Sequence, residues 1–204
     1  MTTKVEICNL ALSCLGEKSS VENIDTPVKQ SEIVCSKWFD VSRRTALRQL
    51  MPSFARKRDI WAANESYKPA FGYTNAYRTK SDCLKILGIG NIGSERNDYA
   101  VEDGHILINE SAADGLQVRY IADVKDLSRF TDDFVQMFAW FLARDICTEL
   151  TSSAQKYGQI DDILEKKIQQ FCSVDSQENK PLRVKSSGLL RARSGLSSIY
   201  GGKH

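Results

Sequence analysis

The hydrophobic period changes twice along this chain, and few architectures accommodate both changes. Up to Met51, and again from Phe134 to Phe171, apolar residues recur every three or four positions, as on a helix face. Between Cys83 and Ile121 they fall instead in short alternating runs bounded by Gly and Asp-Gly. Helices at both ends with strands between them give a mainly α (α+β) fold. The expected form is a four-helix-type bundle with a small antiparallel β-rich insertion between helices two and three.

Thr3 with Glu6 three residues later is a capping box that opens the first helix. Ile7, Leu10, Ala11, Cys14 and Leu15 form its apolar face, and Gly16 stops it. The second helix is predicted from about Gln30 to Met51, ended by Pro52. It has two apolar stripes, Val34/Trp38/Val41 and Phe39/Ala46/Leu47/Leu50, with Lys37, Asp40, Arg44 and Arg48 between them on one side. Two stripes imply contacts on two sides, and a core helix packed between neighbours is preferred to one that also touches another subunit. Ser53 to Trp61 reads as a short helix or an extended stretch.

Strand signals follow. Cys83 to Ile89 is a β-like run, and Gly88, Gly90 and Gly93 mark turns. Tyr99–Glu102 and His105–Ile108 flank Asp103-Gly104, the signature of a tight hairpin. Leu116 to Ile121 adds a strand with Leu116, Val118 and Tyr120 on one face, so three or four strands are expected in one small sheet. Thr131 or Asp132 then caps a strongly apolar helix, Phe134 to Leu150, expected to be the most buried element. Ser152 or Ser153 starts a fourth helix striped by Tyr157, Ile160, Ile163, Leu164, Ile168 and Phe171. The organisation is therefore bundle helices over 1–66, the β-rich insertion over 67–125, bundle helices over 126–174 and an extended basic arm over 175–204.

The arm carries an unusual charge. Lys180 to His204 hold six basic side chains and no acid, which leaves 22 basic against 26 acidic groups, a net of −4, in residues 1–179. Ser and Gly surround its few apolar residues, too few to order the segment by burial. A neighbouring subunit or partner is the expected means of ordering it, through Arg183, Lys185, Leu189, Leu190, Arg191, Arg193, Leu196, Ile199 and Tyr200. Elsewhere the composition is that of a soluble globular protein: 42% hydrophobic and 26% charged. The six cysteines include no C-x-x-C pair, which favours buried free thiols in a reducing compartment. No signal-type apolar stretch follows Met1, and the most apolar run is broken by Arg144, Asp145 and Glu149, so synthesis in a cytoplasm and no membrane span are expected.

Catalytic chemistry finds little footing, and neither enzymatic activity, metal nor cofactor is expected. The two histidines, His105 and His204, lack partner patterns for base or metal work. Asp132/Asp133 and Asp161/Asp162 are acidic pairs read as helix N-terminal residues opposing the macrodipole. Gly88-x-Gly90-x-x-Gly93 has dinucleotide-loop spacing, but no helix signal follows it, and it reads as a mobile loop. Arg56-Lys57-Arg58, with Arg43, Arg44 and Arg48, is a basic concentration. It reads first as a solvated helix face and loop, and second as a contact for DNA phosphates or an acidic protein surface.

Taken together, these segments resemble the tail tubular protein A family, the head-to-tail adaptors (connectors) of short-tailed bacteriophages. The likeness runs through Ile7-Cys8-Asn9-Leu10-Ala11-Leu12-Ser13-Cys14-Leu15-Gly16, Ser31-Glu32, and Arg43 to Leu50 followed by Pro52, Phe54, Ala55, Lys57 and Arg58. It continues through Phe71-Gly72-Tyr73, Ala76-Tyr77, Asp82 to Leu87, Val118-Arg119-Tyr120-Ile121 and the final helix pair, covering roughly 5–172. Gly188-Leu189-Leu190 is also similar to family C-termini. The resemblance implies a structural virion protein without cofactors, located at the portal vertex after assembly in the host cytoplasm. It would form a ring of roughly twelve copies between portal protein and tail nozzle, extending the channel for double-stranded DNA. The competing expectation is a helical nucleic-acid-binding module that uses the basic tail.

Overall fold

The computed structural model describes residues 2–18, 20–90, 98–109 and 115–178. Four helices carry the bundle. Helix α1 (Lys4–Leu15) begins at the expected capping box: Glu6 N donates to Thr3 Oγ1 at 3.2 Å, and Thr3 N donates to Glu6 Oε2 at 2.8 Å. It ends at Gly16, whose φ of 70° is the left-handed conformation a glycine takes without strain. Helix α2 (Gln30–Leu50) stops at Met51 and Pro52. Thr131 caps α3 (Asp132–Thr151), and α4 runs Ala154–Glu178. Ser152 closes α3, while Ser153 Oγ accepts from Lys156 N in the first turn of α4.

Helix α3 is the hub, touching each of the other three. Phe134, Phe138, Phe141, Leu142 and Ile146 are fully buried, as its wide apolar arc requires. Phe39 of α2 meets Phe138 edge-to-face at 5.0 Å, and Phe54 meets Phe134 likewise at 5.0 Å. The two stripes of α2 are unequal. Phe39, Ala46, Leu47 and Leu50 are buried, whereas the other stripe goes from buried Val34 through half-buried Trp38 to Val41, which is 42% exposed.

The β region differs from expectation in size. Ser53–Ala55 is a single 3-10 turn, followed by β1 (Arg56–Trp61). Strands β2 (Asn75–Arg78), β3 (Cys83–Ile89), β4 (Tyr99–Glu102), β5 (His105–Ile108) and β6 (Leu116–Ala122) complete it. They form two three-stranded antiparallel sheets, ordered β1-β6-β3 and β2-β5-β4, rather than one sheet of three or four strands. Because Lys57 pairs with Tyr120 and Trp61 with Leu116, the β region starts at Arg56, ahead of the 66/67 boundary read from composition. The β4–β5 hairpin turns at Asp103 (φ 46°) and Gly104 (φ 68°), the pair of positive φ angles that a two-residue turn matching strand twist needs. Trp61, Tyr77, Ile106, Ile108, Val118 and Tyr120 form a second core between the sheets. Strand β6 joins both cores: Leu116, Val118 and Tyr120 face this one, and Ile121 faces the helices.

The connection into α2 is held by one carboxylate. Glu32 Oε1 accepts from the backbone N–H groups of Glu22 and Asn23, and Oε2 from those of Val28 and Lys29, at 2.9–3.4 Å. These bonds favour the charged form and bring the Glu32 pKa down to about 2. A depressed carboxylate stabilises the fold fully above its unfolded pKa near 4.3 and loses that contribution as pH falls through the folded value. Glu32→Gln should therefore lower the melting temperature at neutral pH, and the gap to the parent should close between about pH 4 and pH 2. A gap that stays constant across that range would show that the four bonds do not depend on the charge.

Candidate interaction surface

The residues singled out for chemistry do not come together. His105 sits where β5 leaves the hairpin, stacked on Tyr67 at 4.1 Å and 10°. Its Nδ1 lies 2.8 Å from the Asp103 carbonyl and must donate to it, while Nε2 meets Asn64 Nδ2 at 3.0 Å. With Nδ1–H committed to the hairpin turn, Nε2 accepts from Asn64, and that bond and the Tyr67 stack tie the 62–74 segment to the sheet. Asp132 and Asp133 occupy the first turn of α3 as expected. Asp161 and Asp162 are not helix N-terminal: α4 starts at Ala154, two turns earlier, and Asp161 lies 3.9 Å from Arg144 of α3. Gly88 is in β3 at a register shift and Gly90 takes φ 87°, while Gly93 lies outside the described residues. Among the described residues no three His, Cys, Asp or Glu side chains converge on one point.

All six cysteines are free; Cys8, Cys35 and Cys147 are buried, Cys14 and Cys83 half-buried, and Cys172 exposed. Cys8 of α1 and Cys35 of α2 share a thiol hydrogen bond, which together with burial raises the Cys8 pKa. Cys8 is therefore a protonated packing group. Among the described residues no helix is long and apolar enough to cross a membrane.

In the basic concentration Arg43, Arg44 and Arg48 lie on helix α2 as expected, whereas Arg56-Lys57-Arg58 is strand β1 rather than a loop, and most of these side chains are used internally. Arg43 is 1% exposed and donates to Asp123 and to the Val124 carbonyl (2.7 Å), with Asp40 at 3.2 Å. Arg48 donates to Leu84 O at 3.0 Å, Arg56 to Met51 O at 3.0 Å, and Lys57 pairs with Asp82 at 2.7 Å. Asp82 also accepts from the Tyr120 hydroxyl, whose pKa burial and the nearby carboxylate push up to about 12. Arg44 and Arg58 are exposed and make no hydrogen bond or ion pair among the described residues.

Arg44 projects from α2, and Arg58 keeps its charge available on the outward face of the β1-β6-β3 sheet. Arg58 lies directly opposite Arg119 across β1 and β6, beside an open cavity of about 600 Å³ that Ile60, Gly90 and Gln117 also line. Like charges in direct cross-strand register are unfavourable. Ile60, on the same face, is 58% exposed. At the end of the other sheet, β4 presents the opposite character: Val101 is 52% exposed, and Asp98, Glu102 and Asp103 are exposed with no ion pair among the described residues. Sequence reasoning missed β4 as a surface, and it left Ser53 to Trp61 open between a short helix and an extended stretch without giving it a place in a sheet. Whether a strand lies at a sheet edge depends on sheet order, which is non-local.

The nine arm residues from Arg183 to Tyr200 named as partner contacts lie outside the described residues. No protein-family model matches the chain, and no curated protein matches it.

Proposed function

We propose that this chain is a head-to-tail adaptor of a short-tailed phage virion, a structural subunit that forms a ring between portal and tail nozzle and extends the DNA channel. One observation carries the reading: the segments that resemble the adaptor family are those that build this body. The Ile7–Gly16 run is α1 with its left-handed cap, and Glu32 is the staple of the α2 entry. Arg43 is the buried bridge to the β region, and Val118–Ile121 is the strand shared by both cores. A likeness concentrated on fold-determining positions concerns architecture rather than composition. The arm adds a +6 segment on a body of net −4, suited to reaching an acidic surface on a neighbour.

The test is a mass measurement with and without a portal ring from the same genome. The adaptor reading expects added mass of roughly twelve subunits on the ring. Removing 180–204 should leave the melting temperature nearly unchanged and abolish stable attachment. Neutralising Arg191 and Arg193 should weaken attachment in a salt-dependent way, since exposed charges are screened. Full decoration by the truncated chain would move the portal contact to the bundle. No portal-dependent mass, with DNA affinity that falls steeply with salt, would replace the adaptor with a nucleic-acid-binding module.

A further inference from the structure

We infer that the open edge of β1 in one copy pairs with the open edge of β4 in the next, so that the two sheets of neighbouring subunits join into a continuous β layer. The inference rests on the ring reading for its closure, but its contacts come from the two edges alone. Among the described residues, strand β1 is terminal in the order β1-β6-β3, and β4 is terminal in β2-β5-β4. The Ile60 N–H is met by the Asp59 carboxylate at 2.8 Å rather than by β6, so it points to the open side, and alternation sends the Arg58 backbone groups the same way. In the hairpin, the residues flanking a two-residue turn exchange hydrogen bonds, which directs the Val101 N–H and C=O away from β5.

An unpaired edge is a template for another strand, and its side chains decide which one. The β1 edge shows Arg58 and the exposed apolar Ile60; the one carboxylate there, Asp59, sits on the Ile60 N–H, which an incoming strand has to take over, and its charge is met by Lys80, so Arg58 is the unmatched charge among the described residues. The β4 edge shows Val101 and Glu102 with Asp98 and Asp103 at its two ends, an exposed apolar residue among carboxylates. Two β1 edges repel, and so do two β4 edges, which excludes a two-fold dimer through either. Only the unlike pair is attractive, setting Ile60 near Val101 and Arg58 near the acidic group. A contact between two different surfaces repeated on every copy is heterologous, the kind that closes into a ring when its rotation permits.

The experiment uses the full chain with Cys172→Ser, removing the exposed native thiol. Ile60→Cys and Val101→Cys are made singly and mixed in oxidised glutathione. The mixture should give a disulfide-linked dimer, and each variant alone should not. Arg58→Glu and Glu102→Lys should each reduce self-association at least tenfold without changing the melting temperature, and the double swap should restore it to within about threefold. Homodimers from either single cysteine variant, no dimer from the mixture, or a double swap no better than the singles would each overturn the pairing. The outcomes separate this inference from the adaptor reading. Portal attachment that is indifferent to the swaps sinks the strand pairing alone. A mixed-cysteine dimer from a chain that never binds portal sinks the adaptor alone.

Discussion

Replacing Phe138 by Ala is expected to cost about 3–5 kcal/mol, the range for removing a buried aromatic side chain from a packed core. Phe138 is fully buried at the centre of α3, 5.0 Å from the ring of Phe39 and 6.4 Å from those of Phe130 and Phe134. Its removal leaves a void that neighbours on two helices and the 127–130 turn line together, and edge-to-face contacts are lost besides volume. Since a domain of this size is stable by only about 5–15 kcal/mol, the variant should be poorly soluble and unfold at much lower urea. Phe138→Leu keeps most of the volume and should cost markedly less. A loss under about 1 kcal/mol for the alanine variant, read from urea midpoints at unchanged slope, would be incompatible with a central core position.

The order of helices was legible because its signals are local. Thr3 with Glu6, Gly16, Pro52 and Thr131 mark helix ends by interactions spanning four residues or fewer, and all four stand where those signals put them. The hairpin was legible for the same reason, since Asp103-Gly104 specifies its own turn. Strand β1 was legible only as one of two alternatives for Ser53 to Trp61, because Arg56-Lys57-Arg58-Asp59 has no apolar alternation, and its partner β6 lies some sixty residues downstream. Strand β2 is only four residues, Asn75 to Arg78, with no β-branched side chain to announce it. Asp161 shows the limit from the other side: α4 begins at Ala154, next to the expected Ser152 or Ser153, yet Asp161 stands two turns inside it and faces Arg144 rather than the helix N-terminus. The candidate surface was less legible than the fold. Charge runs are visible in one dimension, but which charges are consumed internally depends on carbonyls and carboxylates supplied by distant elements.

Arg43 is the clearest case, and its replacement carries the second large effect. In the sequence it is one of several arginines on a helix; in the structure it is 1% exposed and bridges α2 to the segment leaving β6. Its guanidinium meets Asp123, 14% exposed at the side chain, together with the Val124 carbonyl and Asp40. The planar fork reaches all three acceptors at once, which a lysine ammonium cannot do. Arg43→Met should cost about 3–5 kcal/mol, because it strands a largely buried carboxylate and a carbonyl without donors. Asp123→Asn should cost less, since the guanidinium retains Asp40 and Val124. Adding Asp123→Asn to Arg43→Met should recover part of the loss, the non-additivity expected of a direct pair. High salt should change the Arg43→Met penalty little, as a buried pair is poorly screened. Strictly additive penalties would mean the two residues act independently, and the β region would then be held against the bundle by apolar contacts such as Ile121 and Leu84 and by the Arg48 bond to the Leu84 carbonyl.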